Sequence, residues 1–138
     1  MTGIILLIYL AIVSAVDIYK REIPLKSSMV CLLLIILMSL SIDKTKITTI
    51  LLGLLIGLLL LALSMITKGS IGFGDGIMFL VVGSALGFAG TLTVLAGSLI
   101  LASVTAVILM VFCHVGKKYR IPFAPFVCFT YGGMILFG

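Results

Sequence analysis

The chain is expected to be an all-α, polytopic integral membrane protein of six transmembrane helices, and three observations predict this. Of its 138 residues, 63% are hydrophobic and only 9% charged, with a mean hydropathy of +1.49. That leaves too few charges to clothe a soluble domain of this size. The apolar residues gather into runs parted by short polar stretches. The basic residues fall mostly in every second stretch, as the positive-inside rule requires of a chain that crosses a bilayer repeatedly.

The runs, in order, are Ile4 to Ile18, Ser28 to Ile42, Ile47 to Ile66, Ile77 to Phe88, Leu92 to Val115 and Phe123 to Phe137. Several are shorter than the roughly 20 residues of a full helical span, so their ends are expected to extend into polar flanks or a thinned region. No basic residue precedes the first run, and Lys20, Arg21 and Lys26 follow it. This reverses the order of a cleavable signal peptide and predicts a retained helix with its N-terminus outside. Alternation then puts segments 19–27, 67–76 and 116–122 on the cytoplasmic side, with Lys20, Arg21, Lys26, Lys68, Lys117, Lys118 and Arg120. Lys44 and Lys46, beside Asp43, fall outside, as does an uncharged turn near Gly90. No repeat or linker divides the chain, so residues 1–138 are read as one membrane-embedded domain.

A net charge of +5 does not imply nucleic acid here, because the basic residues are scattered between apolar runs without aromatic interleaving. Cys31, Cys113 and Cys128 show neither a CxxC nor a Cys/His spacing, so no metal site is expected and they are read as small buried hydrophobes. "GFGDG" lacks the GK[ST] of a phosphate loop and places an acidic side chain where a phosphate would sit.

The chain has only four acidic residues. Glu22 and Asp43 are read as solvated loop residues. Asp17 closes the first apolar run and Asp75 opens the fourth, which puts both at one membrane face. An ionisable side chain at such a depth is costly and points to function. Two carboxylates in one partly desolvated site do not both ionise easily, so one serves as acid and the other as base, as activation of a water against a peptide carbonyl requires. Helix dipoles suggest Asp75, before a helix, as the base and Asp17, near a helix end, as the acid. Gly72, Gly74 and Gly76 clear side chains from around Asp75, permit positive φ, and let a substrate strand approach.

Three stretches together resemble the type IV prepilin peptidase family, GxGD intramembrane aspartyl proteases: "DIYKREIP" at Asp17 to Pro24, "GFGD" at Gly72 to Asp75 and "KKYRIPFAPF" at Lys117 to Phe126. The resemblance covers essentially the whole chain. It implies an aspartic endopeptidase that removes the short basic leader of prepilin or pseudopilin-like precursors at the cytoplasmic face of the cell membrane, without metal, nucleotide or other cofactor. It implies Asp17 and Asp75 as the catalytic pair, and it matches Gly72 and Gly74 to the motif glycines and Pro24, Pro122 and Pro125 to the turn prolines. Three departures stand out. The chain opens directly into its first helix, without the cysteine-paired segment linked to N-methylation, so it looks like a peptidase-only member. Ile77 stands where the family usually has lysine, and Leu25 where it usually has asparagine.

Other residues have plainer readings. The prolines delimit helices. "GLLIG" at 53–57 and "GSALG" at 83–87 permit close helix approach, read as internal packing. His114 is read as an interfacial side chain and Phe73 as a membrane-edge anchor or pocket wall. The rival class is a small transporter or channel subunit using Asp17 and Asp75 to couple a cation or proton. Transporters tend to place such groups at the midplane of repeated halves, whereas here both fall at one face.

Overall fold

A computed structural model describes residues 2–20, 23–42, 47–68, 72–114, 116 and 120–138. The regular structure among them is entirely helical: α1 (Thr2–Lys20), α2 (Leu25–Ile42), α3 (Ile47–Ile66), α4 (Phe73–Phe112) and α5 (Ala124–Phe137). Arg21, Glu22, Asp43, Lys44, Lys46, Lys117 and Lys118 lie outside the described residues.

Five helices therefore stand where six were expected, because the fourth and fifth apolar runs are joined in α4. Gly90, where a turn was expected, is helical, and the departure from helical geometry falls instead at Gly87, with φ 70° and ψ −170°. A straight helix of this length would measure about 60 Å, twice the thickness of a hydrocarbon core. It is not straight. Phe79 meets Phe123, with ring centroids 6.2 Å apart, while Gly97 packs on Thr130. The two α4 residues would be about 27 Å apart along a straight axis, but their partners are only about 10 Å apart along the chain of α5. The helix must bend sharply between them, and Gly87 is the one residue inside it with non-helical angles. Single-residue breaks of this kind favour glycine.

Three helices are long and apolar enough to cross a membrane by length and composition: Gly3–Lys20, Ile47–Ile66 and Phe73–Phe112. Leu25–Met38 and Ala124–Phe137 are apolar but shorter. The protein is a helical membrane protein, and its outward faces are covered with leucine, isoleucine, valine and phenylalanine.

The first part of α4 is the centre of the bundle. Gly76–Phe79 and Val81–Ser84 are buried on every side of the helix, with α1, α2, α3 and α5 packed around α4. The α3 seam is made by the two small-residue motifs. A Cβ on Gly53 would lie 2.1 Å from the Gly83 carbonyl oxygen, and one on Gly57 would lie 2.6 Å from the Leu80 amide nitrogen. The backbones touch, as small-xxx-small patterns allow, so these glycines pack internally as expected. On α1, Leu6, Tyr9, Leu10, Val13 and Asp17 are buried, a helical spacing that makes one inward face. Asp17 simply continues that face. Buried hydroxyls along α4 bond back to their own helix: Ser84 donates to the Val81 carbonyl at 2.8 Å and Ser98 to that of Val94 at 2.7 Å. This satisfies them where no water is at hand.

Cys31 is buried and Cys128 partly so, but Cys113 is exposed. The expectation of a buried thiol fails there because Cys113 caps the end of α4, beyond the packed core. His114 is exposed as well, with φ 50°.

Candidate active site

Four chain segments meet at one end of the bundle: the end of α1, the Ile23–Pro24 approach to α2, the start of α4 and the start of α5. The opposite end is marked by Tyr131, whose hydroxyl donates to the Gly3 carbonyl at 3.2 Å.

Asp17 is only 6% exposed, and its Oδ2 accepts the backbone N–H of Ala124 at 3.1 Å. Sequence reasoning missed this contact, although the signal for it lies in the two prolines. Phe123 caps α5 and Ala124 is its first residue, with Pro125 next. The first amides of a helix have no partner in their own helix, and proline has no amide to offer. The Ala124 N–H is therefore a spare donor, and Asp17 takes it. Pro122 and Pro125 flank that amide at the start of α5.

Asp75 lies in the first turn of α4, its amide donating to the Gly72 carbonyl at 3.1 Å. It is half-buried and within electrostatic reach of Asp17. The aspartates, far apart in sequence, are thus brought together as expected. The dipole argument for separate roles meets opposing contributions at Asp17. It lies in the last turn of α1 and also accepts the first amide of α5, whereas Asp75 stands at the start of α4 alone.

Space rather than handedness is what the glycines around Asp75 provide. Gly72 has φ −61° and ψ 125°, and Gly87 is the described glycine with positive φ. Each of the three has a different neighbour. A Cβ on Gly72 would lie 2.7 Å from the Asp75 Oδ2, one on Gly74 would lie 2.7 Å from the Ile23 Cβ, and one on Gly76 would lie 2.7 Å from the Leu61 Cδ2. Gly72 makes room for the aspartate itself, Gly74 for the Ile-Pro segment and Gly76 for α3. An open trough for a substrate strand along all three is therefore not what the structure holds. Gly72 is exposed, Gly74 and Asp75 are partly exposed, and Gly76 is buried.

Pro24 ends the connection before α2, and its carbonyl accepts from the Ser28 amide at 3.1 Å. Phe73 is 48% exposed at the start of α4. Ile77, where the resemblance implies lysine, is 5% exposed, so an apolar side chain fills that position within the core. Among the described residues no group of His, Cys, Asp and Glu is arranged to hold a metal ion.

Comparison with known proteins gives the family. The model of the type IV leader peptidase family matches residues 4–111, a span that contains both aspartates, the Asp17 to Pro24 stretch and the GxGD motif, and ends before the Lys117 to Phe126 stretch. No curated protein and no solved structure matches the chain significantly. A family match over most of the chain, carried by a helical membrane bundle, establishes that the chain belongs to the type IV leader peptidase family.

Proposed function

We propose that the protein is an aspartic endopeptidase that removes the basic leader from prepilin-like or pseudopilin-like precursors, with Asp17 and Asp75 activating the attacking water. The observation that carries this reading is the meeting of the two carboxylates at one end of the bundle, Asp17 buried and held by the Ala124 amide, Asp75 beside it and partly open. Water and the scissile peptide enter from the Asp75 and Gly72 side. One carboxylate accepts the proton of the water as its oxygen attacks the carbonyl carbon. The other, protonated, gives its proton to the developing oxyanion. As the C–N bond breaks, the first carboxyl passes the proton it took from the water to the leaving amine, and the second takes a proton back from a hydroxyl of the tetrahedral intermediate. The pair shares one proton as a unit, and the roles exchange during turnover.

The same reading assigns six crossings, α4 supplying two by its bend at Gly87, with the N-terminus outside and the site at the cytoplasmic face. Its support is the charge pattern. Lys20, Lys26, Lys68 and Arg120 are the described Lys and Arg residues, all exposed, and each flanks the aspartate end of a helix.

The test is cleavage of a leader-bearing precursor by the purified protein in liposomes, with wild type set against Asp17→Asn and Asp75→Asn. Shortening by the wild type alone supports the reading, provided both variants remain folded. Equal behaviour of all three across several precursors overturns it, and proton or cation flux through the same liposomes then tests the transporter alternative.

A further inference from the structure

Asp17 and Asp75 ride on α1 and α4, which touch each other only sparsely, while α1 packs chiefly on α5 and α4 chiefly on α3. Direct packing therefore does little to set the separation of the two carboxylates. One link runs from Asp17 to the Ala124 amide of α5, a helix that itself packs on α4. A second is built from hydroxyls.

Tyr9 lies on the inward face of α1, about two turns before Asp17, and is 6% exposed. Its hydroxyl donates to the Ser28 Oγ at 2.6 Å. The Ser28 hydroxyl, fully buried, donates in turn to the Pro24 carbonyl at 3.0 Å. The residue before Pro24 is Ile23, which fills the space above Gly74, next to Asp75. An unbroken path of contacts thus runs from the helix of Asp17, through Tyr9, Ser28, Pro24 and Ile23, to the residue preceding Asp75.

Other buried hydroxyls show that this path is not forced by the need to satisfy Ser28. Ser84 and Ser98 are satisfied by carbonyls of their own helix, and Ser28 has the Pro24 carbonyl in the same relation. The Tyr9 hydroxyl adds a bond between two helices, in surroundings where a phenylalanine would carry no polar group to satisfy.

We propose that Tyr9 is a positioning residue for the aspartate pair, acting through Ser28 and the Ile23–Pro24 segment to hold α1 in register with the start of α4. This rests on the reading of Asp17 and Asp75 as the water-activating pair. Tyr9 touches neither the water nor the peptide. Its effect is therefore expected in the chemical step and not in substrate binding.

The experiment measures cleavage kinetics and thermal melting of the reconstituted full chain for wild type, Tyr9→Phe, Ser28→Ala and the double variant. Each single variant is expected to lose about tenfold in kcat with KM unchanged, since small misplacements of reacting groups weigh heavily on rate. Ser28→Ala alone leaves the Tyr9 hydroxyl buried without its partner and lowers the melting temperature. Tyr9→Phe added to it removes the stranded group and restores melting. The double variant nevertheless stays about tenfold slow, no worse than either single variant, because both cut one path. The proposal is overturned if Tyr9→Phe cleaves like the wild type, or if kcat recovers with melting in the double variant, which would mark the bond as packing alone. A wild type that leaves every precursor intact is a different failure, which overturns the proposed function and this inference with it.

Discussion

The α3–α4 seam and the α1–α4 site are both built around glycines of the same helix, and they are held together in opposite ways. At the seam, Gly53 meets Gly83 backbone to backbone, and α3 makes its main contact with α4 alone. At the site, the two helices that carry the aspartates barely touch. Third parties join them: the Ala124 amide on one side, the Ile23–Pro24 segment on the other. A dense seam fixes two helices but leaves no room between them for water or a peptide. A pair of carboxylates acting as proposed would need that room, so its geometry would have to be carried around the gap. Damage at the seam should therefore appear as loss of folding, and damage at the site as loss of turnover.

The largest separation of these two effects comes from the aspartates. On the proposed function, Asp17→Asn and Asp75→Asn should each lower kcat by about 10³-fold or more, with melting in detergent little changed, since each would then remove a proton-transferring group but keep the shape. A melting temperature that collapses with Asp17→Asn would show the Ala124 contact to be structural first. Next is Gly83→Val, whose side chain would meet the Gly53 carbonyl backbone with nowhere to go. It should cost about 3 kcal/mol or abolish accumulation of folded protein, read by melting and by yield. A smaller effect is expected from Gly74→Ala, which presses on Ile23 beside Asp75. About a tenfold fall in kcat is expected, and Ile23→Ala in the same chain should recover most of it, because the clash is with that side chain. Failure of the recovery would mean that α4 itself has shifted. The smallest effect marks the baseline. A Cβ added at Gly133 would meet nothing within 4 Å, and Gly133→Ala should stabilise α5 by about 0.5–1 kcal/mol through helix propensity while leaving cleavage unchanged.

Much of this organisation was legible in the residues. The third apolar run, Ile47 to Ile66, coincides with α3, because charged or polar stretches bound it on both sides. Asp17 and Asp75 declared themselves as carboxylates bordering apolar runs, and the glycine motifs at 53–57 and 83–87 as sites of close packing. The union of two runs into α4 was hidden, because a glycine that breaks a helix and one that continues it look alike in sequence; Gly87 and Gly90 differ only in backbone angles set by packing, with Gly87 pressed against Thr49. The neighbours of the aspartates were hidden for a related reason. Ala124 and Ile23 meet them through a main-chain amide and an aliphatic surface, neither of which has a spacing rule.

The hold on Asp17 has a consequence for how this enzyme would respond to mutational scanning. Its donor is the main-chain amide of a residue that is already alanine, so alanine scanning passes over it without leaving a trace. Exchange of the side chain at position 124 probes only the space in that fully buried spot, and every genetically encoded residue except proline keeps the N–H. A map of sensitive positions would show a crowded site there and miss the bond altogether. Replacing that one amide by an ester, through semisynthesis, is the change that removes the donor and leaves the rest of the residue in place.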